Sequence, residues 1–356
     1  MKILTALPIA LATALASAQV PDNLVTENIP PFTSELRADV GRYLEFRGAF
    51  FSSWHPQRRE MLIVTRFADT PQLHLVKAPG GARRQLTFLP EPVAGGSFRP
   101  KTGECIVFSQ DAGGGEFFQL YRYDLADGKI TRLTDGKSRN TGAHWSRSGQ
   151  QLAYTSTRRN GKDNDIYVMD PAHPASDRLV VQVNSGGWAI ADWSEDETKL
   201  LLEEYVSANE SFIHLYDLKT GAKELLTPKG AEKTAWSGAK FARDGKTFFT
   251  TTDKGAEFQR LALVDIATKT HRVLTADIPW DVEQFDLSPD GATLAFITNE
   301  DGVGVLHLMN AKSGRALSSP KLPLGVLSGL DWHENSRDLA FTLSAAKSPS
   351  DRKSVV

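Results

Sequence analysis

The sequence has a single cysteine among its 356 residues, so an internal disulfide is excluded. That residue, Cys105, precedes Ile-Val-Phe and is expected to be a buried core thiol rather than a nucleophile or a ligand. Helical periodicity is scarce, and 40% hydrophobic with 24% charged residues is the composition of a globular protein. These features favour one large all-β array whose core is held by packing alone.

Several classes of functional site are also missing. The net charge is −2 and no basic block occurs, so no nucleic-acid partner is expected. The eight histidines form no metal-binding pair, and no Gly-x-Ser-x-Gly motif occurs. The run Gly113-Gly114-Gly115 lacks the Lys-Ser/Thr of a phosphate loop and predicts a flexible hairpin. We therefore expect no cofactor, no metal and no catalytic residue in this chain.

Residues 1–18 have the features of a cleavable signal peptide. Lys2 precedes an apolar run, and Ala16-Ser17-Ala18 is a cleavage signal with Gln19 as the expected mature start. A transmembrane anchor is the alternative, but the run is shorter than the ~20 residues of a membrane span. The prediction is a secreted or periplasmic protein, cut after Ala18, with no membrane span after signal cleavage.

Residues 142–171 define a repeating unit of strand, tight turn, strand, polar loop and strand. Its first strand ends in an apolar anchor that recurs at intervals of 44 to 48 residues. In six of the seven copies a third strand follows, and Leu-Thr pairs mark a fourth. A period of ~40–50 residues with four strands is typical of a β-propeller. The anchors are Trp54, Phe98, Trp145, Trp193, Phe241, Leu287 and Trp332.

The sequence therefore predicts an all-β, seven-bladed β-propeller over residues 49–350, with four-stranded antiparallel blades and an incomplete seventh blade. No third strand is expected after residues 338–343, which would form an unpaired, aggregation-prone edge. Residues 19–48 are a lead-in with a short helix at residues 33–44, capped by Thr33 or Ser34. Either this lead-in closes the ring or the chain is truncated. Residues 351–356, DRKSVV, resemble a translated sequencing adapter and are expected to be non-native.

The loops between the second and third strands are the candidate binding elements, because they differ between copies while the strands repeat. They comprise residues 67–71, 111–116, 158–164, 206–211, 253–257 and 300–302, all expected on one face. Charged side chains in two neighbouring repeats could gate or bind a substrate, for example a substrate amine. The alternative is ordinary solvated charge. The candidates are Arg158, Arg159, Asp163, Glu203, Glu204 and Glu210.

The phrases SPDGATLAFIT, DIYVMD and TRLTDG resemble the blades of TolB-type propellers. The phrases ARRQLTFLPEPV, GGGEFFQLYRYDL and EEYVSANESFIHLYDLKTG resemble the propeller of exported bacterial peptidases of the prolyl oligopeptidase family. In that family the propeller precedes an α/β-hydrolase domain with a Ser-Asp-His triad and restricts entry to peptides. The resemblance implies a propeller that gates peptide substrate and docks on a hydrolase domain missing here, without activity of its own. The alternative is a stand-alone TolB-like module that binds a protein or ligand in the cell envelope.

Overall fold

The computed structural model describes residues 25–30, 32–184 and 187–355. The predicted signal peptide, residues 1–18, lies outside the described residues. The chain divides into two units, Met1–Arg47 and Gly48–Val356. Among the described residues, no helix has both the length and the apolar character needed to cross a bilayer.

The first unit contains the helix expected in the lead-in, α1 (Ser34–Leu44). Thr33 is its N-cap, and the Thr33 hydroxyl accepts a hydrogen bond from the backbone N–H of Leu36 at 3.1 Å. This contact satisfies one of the backbone donors that a helix N-terminus leaves free. The helix prediction is confirmed, with Thr33 rather than Ser34 as the cap.

The second unit is an all-β propeller with six complete blades of four antiparallel strands. In each blade, strands adjacent in sequence pair with one another. Blade 1 comprises β1 (Ala49–Trp54), β2 (Met61–Thr65), β3 (Gln72–Val76) and β4 (Arg83–Gln85). Blade 2 comprises β5 (Val93–Phe98), β6 (Cys105–Gln110), β7 (Gln119–Asp124) and β8 (Ile130–Arg132). Blade 3 comprises β9 (Asn140–Trp145), β10 (Leu152–Ser156), β11 (Asp165–Asp170) and β12 (His173–Val181).

Blades 4 to 6 repeat this order and continue the ring. Blade 4 comprises β13 (Gly187–Trp193), β14 (Lys199–Ser207), β15 (Glu210–Asp217) and β16 (Lys223–Leu225). Blade 5 comprises β17 (Trp236–Phe241), β18 (Thr247–Thr252), β19 (Arg260–Asp265) and β20 (His271–Val273). Blade 6 comprises β21 (Val282–Leu287), β22 (Thr293–Glu300), β23 (Val303–Asn310) and β24 (Ala316–Leu317).

The expectation of seven blades with an incomplete last one is wrong. Beyond the six complete blades, the seventh repeat forms a three-stranded sheet of β25 (Val326–Trp332), β26 (Leu339–Ala345) and β27 (Ser348–Val355), which we call the closing sheet. The sequence predicted no third strand here because its residues are poor strand formers. Strand propensity is context-dependent, and β26 offers a free row of backbone hydrogen-bonding groups to whatever follows it.

Strand β26 is consequently not the unpaired edge that the sequence predicted. It pairs with β25 on one side and with β27 on the other. The register between β26 and β27 shifts between Leu343 and Ala345, next to Pro349. An irregular position tolerates proline, which has no N–H to donate. The non-native origin of residues 351–356 stays a prediction.

The turns after the third strands have the chemistry expected from sequence. Asp170, Asp217, Asp265 and Asn310 each accept a hydrogen bond from a backbone N–H two or three residues further on, at 2.8–2.9 Å. These contacts form Asx turns at the ends of the third strands. Asp124 differs, since its carboxylate accepts from the side chain of Arg122.

The core lies between blades rather than in one centre. Each cluster combines the faces of two neighbouring sheets, as when Trp188, Trp193 and Leu200 of blade 4 pack with Ile166 and Val168 of blade 3. A single blade cannot bury both of its faces, so stacking around a ring supplies the missing partner. The stacking of repeats predicted from sequence is confirmed.

The ring closes where the closing sheet meets blade 1. Ala340 is buried among Trp54 and Met61, and the Phe51 N–H donates to the Thr342 hydroxyl at 3.0 Å. The Trp54 indole N–H donates to the carbonyl of Asp331 at 3.2 Å. The closing sheet is therefore held against blade 1 by side-chain packing and hydrogen bonds.

Candidate functional site at the channel mouth

The first strand of each repeat lines a central channel. One cavity of about 640 Å³ is lined by residues from blades 2 to 6 and from the closing sheet. It also contacts the tight turns between first and second strands, which places these turns on one face of the propeller, the turn face. The opposite face carries the loops between second and third strands and is called the loop face.

Every channel-lining strand has an irregularity in its pairing with the second strand of its sheet. In all seven repeats the register shift lies about two to four residues before the apolar anchor. In three of them a glycine lies in the left-handed region, with φ of 63° at Gly142, 54° at Gly238 and 68° at Gly329. A bulge bends its strand and redirects the next side chains. Here the bulges precede the residues that form the channel mouth.

A ring of seven equivalent side chains surrounds the channel near the turn face. Each lies immediately before the apolar anchor of its repeat, and several bond to the next repeat. Asp192 accepts from the backbone N–H of Phe241 at 2.9 Å, and Asp286 accepts from that of Trp332 at 2.9 Å. The members of this mouth ring are Ser53, Ser97, His144, Asp192, Lys240, Asp286 and Asp331.

The mouth ring has one acidic side and one neutral side. Asp192, Lys240, Asp286 and Asp331 come from consecutive repeats, whereas the two serines come from blades 1 and 2. Burial lowers the pKa of His144, so this member is neutral at pH 7. The ring therefore concentrates its charge on one half of the channel.

Two carboxylates of the mouth ring have cationic partners. Arg147 contacts Asp192 at 2.6 Å, and the Nζ of Lys240 contacts Asp286 at 2.6 Å. Burial would lower the pKa of Lys240, but Asp286 and Asp192 together raise it above the usual value. Lys240 is thus held charged beside its partner.

Asp331, the third carboxylate, has a different environment. Burial, and then the charge of Asp286, raise its pKa to about 8. Lys240 and the backbone N–H of Trp54 oppose this shift without cancelling it. Asp331 is therefore mostly protonated at neutral pH, unlike an ordinary aspartate.

The predicted candidates Arg158, Arg159 and Asp163 are structural. Arg158 pairs with Asp177 and lies 3.6 Å from the centre of the Tyr167 ring. Arg159 contacts Asp163 at 3.0 Å and the fully buried Asp165 at 2.5 Å. These bonds tie the loop to its own blade.

Arg159 also donates to the Val183 carbonyl at 2.8 Å, and Asp163 accepts from the Asn160 amide at 2.8 Å. All of these contacts lie within blade 3 or the segment that leaves it. These charges therefore make ion pairs and hydrogen bonds within the fold, which differs from the solvated charge that the sequence offered as the alternative to substrate binding.

The three predicted glutamates occupy different places. Glu203 lines a channel cavity of about 330 Å³ and accepts from the Gly238 N–H at 3.0 Å, and burial raises its pKa. Glu204 bonds to the Nε2 of His214 at 2.8 Å. Glu210 lies 3.8 Å from Lys233. The structure therefore brings only Glu203, among the six candidates, to the channel.

Sequence reasoning missed the mouth ring, although its signal was present. The seven anchors align the repeats. The residue immediately before each anchor is then the member of the mouth ring that the repeat contributes. The anchors by themselves indicate packing, and the charge pattern of the ring lies in the residues that precede them. Among the described residues, no group of three or more histidine, cysteine or acidic side chains is arranged to hold a metal ion.

The other predicted side chains behave as core residues. Cys105 is buried, and burial raises the pKa of its thiol to about 11, which makes it a poor nucleophile. His74 and His214 are buried, and His307 stacks on Phe296 with 4.8 Å between ring centres. These histidines pack and hydrogen-bond within their blades.

The loop face differs from the mouth ring in being apolar. Most exposed large apolar side chains of the second unit lie at the loop-face ends of strands or in the loops there. They come from blades 1, 2 and 4 and from the segment that begins the closing sheet. These residues are Phe50, Phe67, Phe88, Phe117, Tyr205, Val206, Leu324 and Val326.

Comparisons with known proteins agree with this architecture. Two curated proteins described as Tol-Pal system protein TolB, from Francisella tularensis subsp. holarctica strains OSU18 and LVS, are each 30% identical over 79 residues. Each alignment covers 22% of this chain and 18% of the relative. The match therefore spans less than a fifth of the relatives' length.

Among solved structures, a chain from an analysis of two prolyl endopeptidases and their inter-domain dynamics has a similar fold. The TM-score is 0.71 at 15% identity, covering 90% of this chain and 51% of that chain. At this identity the similarity concerns the fold alone. The present chain spans about half the length of that protein.

The match to a protein family covers more of the chain than the match to the two curated relatives. Residues 45–237, more than half of the chain, match the family described as TolB beta propeller domain. The match begins at the entry to blade 1 and ends inside blade 5, so it includes four whole blades. The chain therefore belongs to the TolB beta propeller domain family.

Proposed function

We propose that this chain is the non-catalytic propeller portion of a prolyl oligopeptidase family serine peptidase. In this role it gates the access of peptides and docks on a hydrolase domain. The fold similarity to a prolyl endopeptidase chain supports this, because it covers nearly all of this chain and about half of the other. The absence of a Gly-x-Ser-x-Gly motif from the sequence is consistent with a supporting role.

The observation that carries the docking proposal is the apolar character of the loop face. Phe88 is 77% exposed and Phe117 is 57% exposed, both in loops at this face. Exposed apolar side chains gathered on one side of a protein mark surfaces that contact another protein.

A secreted or periplasmic location is part of the proposal. It rests on the signal-like residues 1–18 and on the similarity to proteins named for the Tol-Pal system. Fractionation of the native organism, with immunodetection of this chain, tests it. Recovery with periplasmic or secreted proteins, at the mass expected after cleavage at Ala18, is the expected result; an uncleaved cytoplasmic protein contradicts it.

The catalytic part of the proposal is tested with the pure chain. We expect no hydrolysis of a chromogenic proline-containing peptide. Hydrolysis that a serine-directed inhibitor blocks would contradict the assignment. The matched experiment uses the genomic reading frame beyond the codon for Asp351, which is expected to encode Gly-x-Ser-x-Gly and to yield an active peptidase.

Docking is tested by mixing the chain with the separately produced downstream domain. Substituting Phe88→Ser and Phe117→Ser should weaken the association at least tenfold. The control pair Lys246→Ser and Arg337→Ser alters exposed turn-face residues and should leave association unchanged. Equal weakening by both pairs would contradict docking through the loop face.

A stand-alone TolB-like module that binds a protein or ligand in the cell envelope is the second candidate. The family membership of residues 45–237 favours it. A natural stop codon after Val356, with a cooperatively folding monomer, would support this module and contradict the peptidase assignment. Capture of the chain by an envelope protein would then identify its partner.

A further inference from the structure

The mouth ring contains an unmatched carboxylate. Asp192 pairs with Arg147 and Asp286 pairs with Lys240, each at 2.6 Å. Asp331 occupies the equivalent position in the closing sheet, yet no described lysine or arginine forms a salt bridge with it. Carboxylates enclosed by protein are ordinarily paired with a cation or protonated. The third member of the series thus lacks the partner that the other two have.

Asp331 borders a second cavity, of about 430 Å³, at the turn-face mouth between blades 1 to 3 and the closing sheet. None of the described residues that line it is a lysine or an arginine. Glu334 adds a second carboxylate at its rim, and His144 is kept neutral by burial. Glu334 is already paired with the Nζ of Lys101 at 2.8 Å, so Asp331 is the carboxyl of this cavity that has no salt-bridge partner among the described residues.

The remaining walls of the cavity are aromatic and small. Trp54, Trp145, Trp332 and Phe98 line it together with Ser53 and other small residues. Aromatic rings beside a carboxylate favour an organic cation, since a guanidinium or ammonium group interacts both with ring faces and with the carboxylate. The volume is in the range of small-ligand sites and far exceeds that of one metal ion.

We propose that this cavity binds a positively charged organic group, a guanidinium or alkylammonium, with Asp331 as its counter-ion. The site goes beyond the proposed function and does not rest on it, because it lies on the turn face and needs no hydrolase domain. Glu334 at the rim already has Lys101 as its partner, so the role of counter-ion falls to Asp331. The serines at positions 53 and 97 leave room that larger ring members would fill.

The charges around Asp331 give the site a characteristic pH dependence. Asp286 and Glu334 hinder ionisation of Asp331, whereas Lys240 favours it, and His144 and Lys101 also border the channel mouth. The pKa of Asp331 is about 8 without a ligand. A bound cation stabilises the ionised form, so binding at pH 7 releases a proton and the affinity increases with pH up to about 8.

The test is calorimetric titration of the whole chain with an acetylated, amidated hexapeptide that contains one arginine among glycines. The matched probe carries citrulline, which has nearly the same shape without the charge. We expect the arginine peptide to bind at least tenfold more tightly at pH 8. Its affinity should fall by more than about tenfold between pH 8.5 and pH 6.5, following the ionised fraction of Asp331, while that of the citrulline peptide stays constant.

Asp331→Asn should abolish the preference for arginine over citrulline and its pH dependence. The amide can still accept the hydrogen bond from Trp54, and a thermal melt verifies folding. Asp331→Glu should retain the preference, and the control Glu195→Gln, an exposed turn-face carboxylate, should leave it unchanged. Equal affinity for the two peptides on the wild-type chain overturns the proposal, even if Asp331→Asn does not fold.

Discussion

The two faces of the propeller differ in what their connections do. On the turn face, the turns of neighbouring repeats bond to one another: Gln57 donates to the Lys101 carbonyl at 2.6 Å and Arg99 to that of Gly149 at 2.8 Å. On the loop face, side chains that vary between repeats are apolar and exposed, including Phe88 and Phe117. The turns of the turn face are tied to one another within the chain, whereas the loops of the loop face expose apolar surface to another molecule.

This difference shows that one repeat has two kinds of connection, turns that contact the next repeat and loops that vary. The turn is short and constant in length, so its polar atoms always meet those of the next blade. The loops vary in length and composition, so their side chains are free to change without disturbing the strands. Bonds between neighbouring repeats are therefore concentrated at the turn-face end, and variable exposed side chains at the loop-face end.

The largest expected effect is on the free energy of unfolding, when a buried aromatic anchor is replaced and an exposed aromatic side chain serves as the control. Trp193 is fully buried between blades 3 and 4, and its indole N–H donates to the His144 carbonyl at 3.2 Å. Replacing it by alanine should lower the free energy of unfolding by about 3–5 kcal/mol, because a large cavity is left. Urea denaturation measures this. The control Phe88→Ala should change the value by less than about 0.5 kcal/mol, and comparable losses would refute the contrast.

A smaller effect is expected for the charge pair of the mouth ring. Asp286→Asn removes the partner of Lys240 while keeping an acceptor for the Trp332 N–H. Leaving the cation without its partner should cost about 1–3 kcal/mol, less than for a fully buried pair because Lys240 is partly exposed. The exposed pair of Arg243 and Glu195 provides the control. Glu195→Gln should cost less than about 1 kcal/mol, and an equal or larger loss would argue against a special mouth ring.

The pH dependence of stability tests Asp331 directly. Its pKa is about 8 in the folded chain against a reference value of 3.8, so between these values the folded chain holds one more proton than the unfolded chain. The resulting stability is fully present below pH 3.8 and is lost as the pH rises through about 8. The slope is at most about 1.4 kcal/mol per pH unit, and channel water reduces it. Urea titrations from pH 6 to 8 should show a shallower decline for Asp331→Asn; identical slopes would contradict the shift.

The smallest effect on stability is expected at the loop face. The pair Phe88→Ser and Phe117→Ser should alter the free energy of unfolding by less than about 0.5 kcal/mol, since both side chains are already in water. The same change should clearly reduce the binding of a hydrophobic fluorescent dye by the folded chain. Unchanged dye fluorescence would show that these aromatic residues do not form an accessible apolar surface.

The propeller class was predictable because each anchor, turn and strand repeats with a nearly constant period. The positions of Trp145 and Trp193, for example, align their repeats without any structural information. The state of the seventh repeat was not predictable from propensity, because residues 348–355 pair through their backbone with β26. The roles of Arg158 and Arg159 were equally hidden, since their partners Asp177 and Asp165 lie on neighbouring strands.

The sequence by itself determined the repeat, the all-β propeller and the buried, unreactive character of Cys105. These depend on local pattern and on the need of each blade to bury two faces. Only the tertiary structure decided that Asp192, Lys240, Asp286 and Asp331 share one mouth ring. Residues 45 to 48 positions apart meet there because the blades are arranged around an axis, and burial together with the charge of Asp286 then raises the pKa of Asp331.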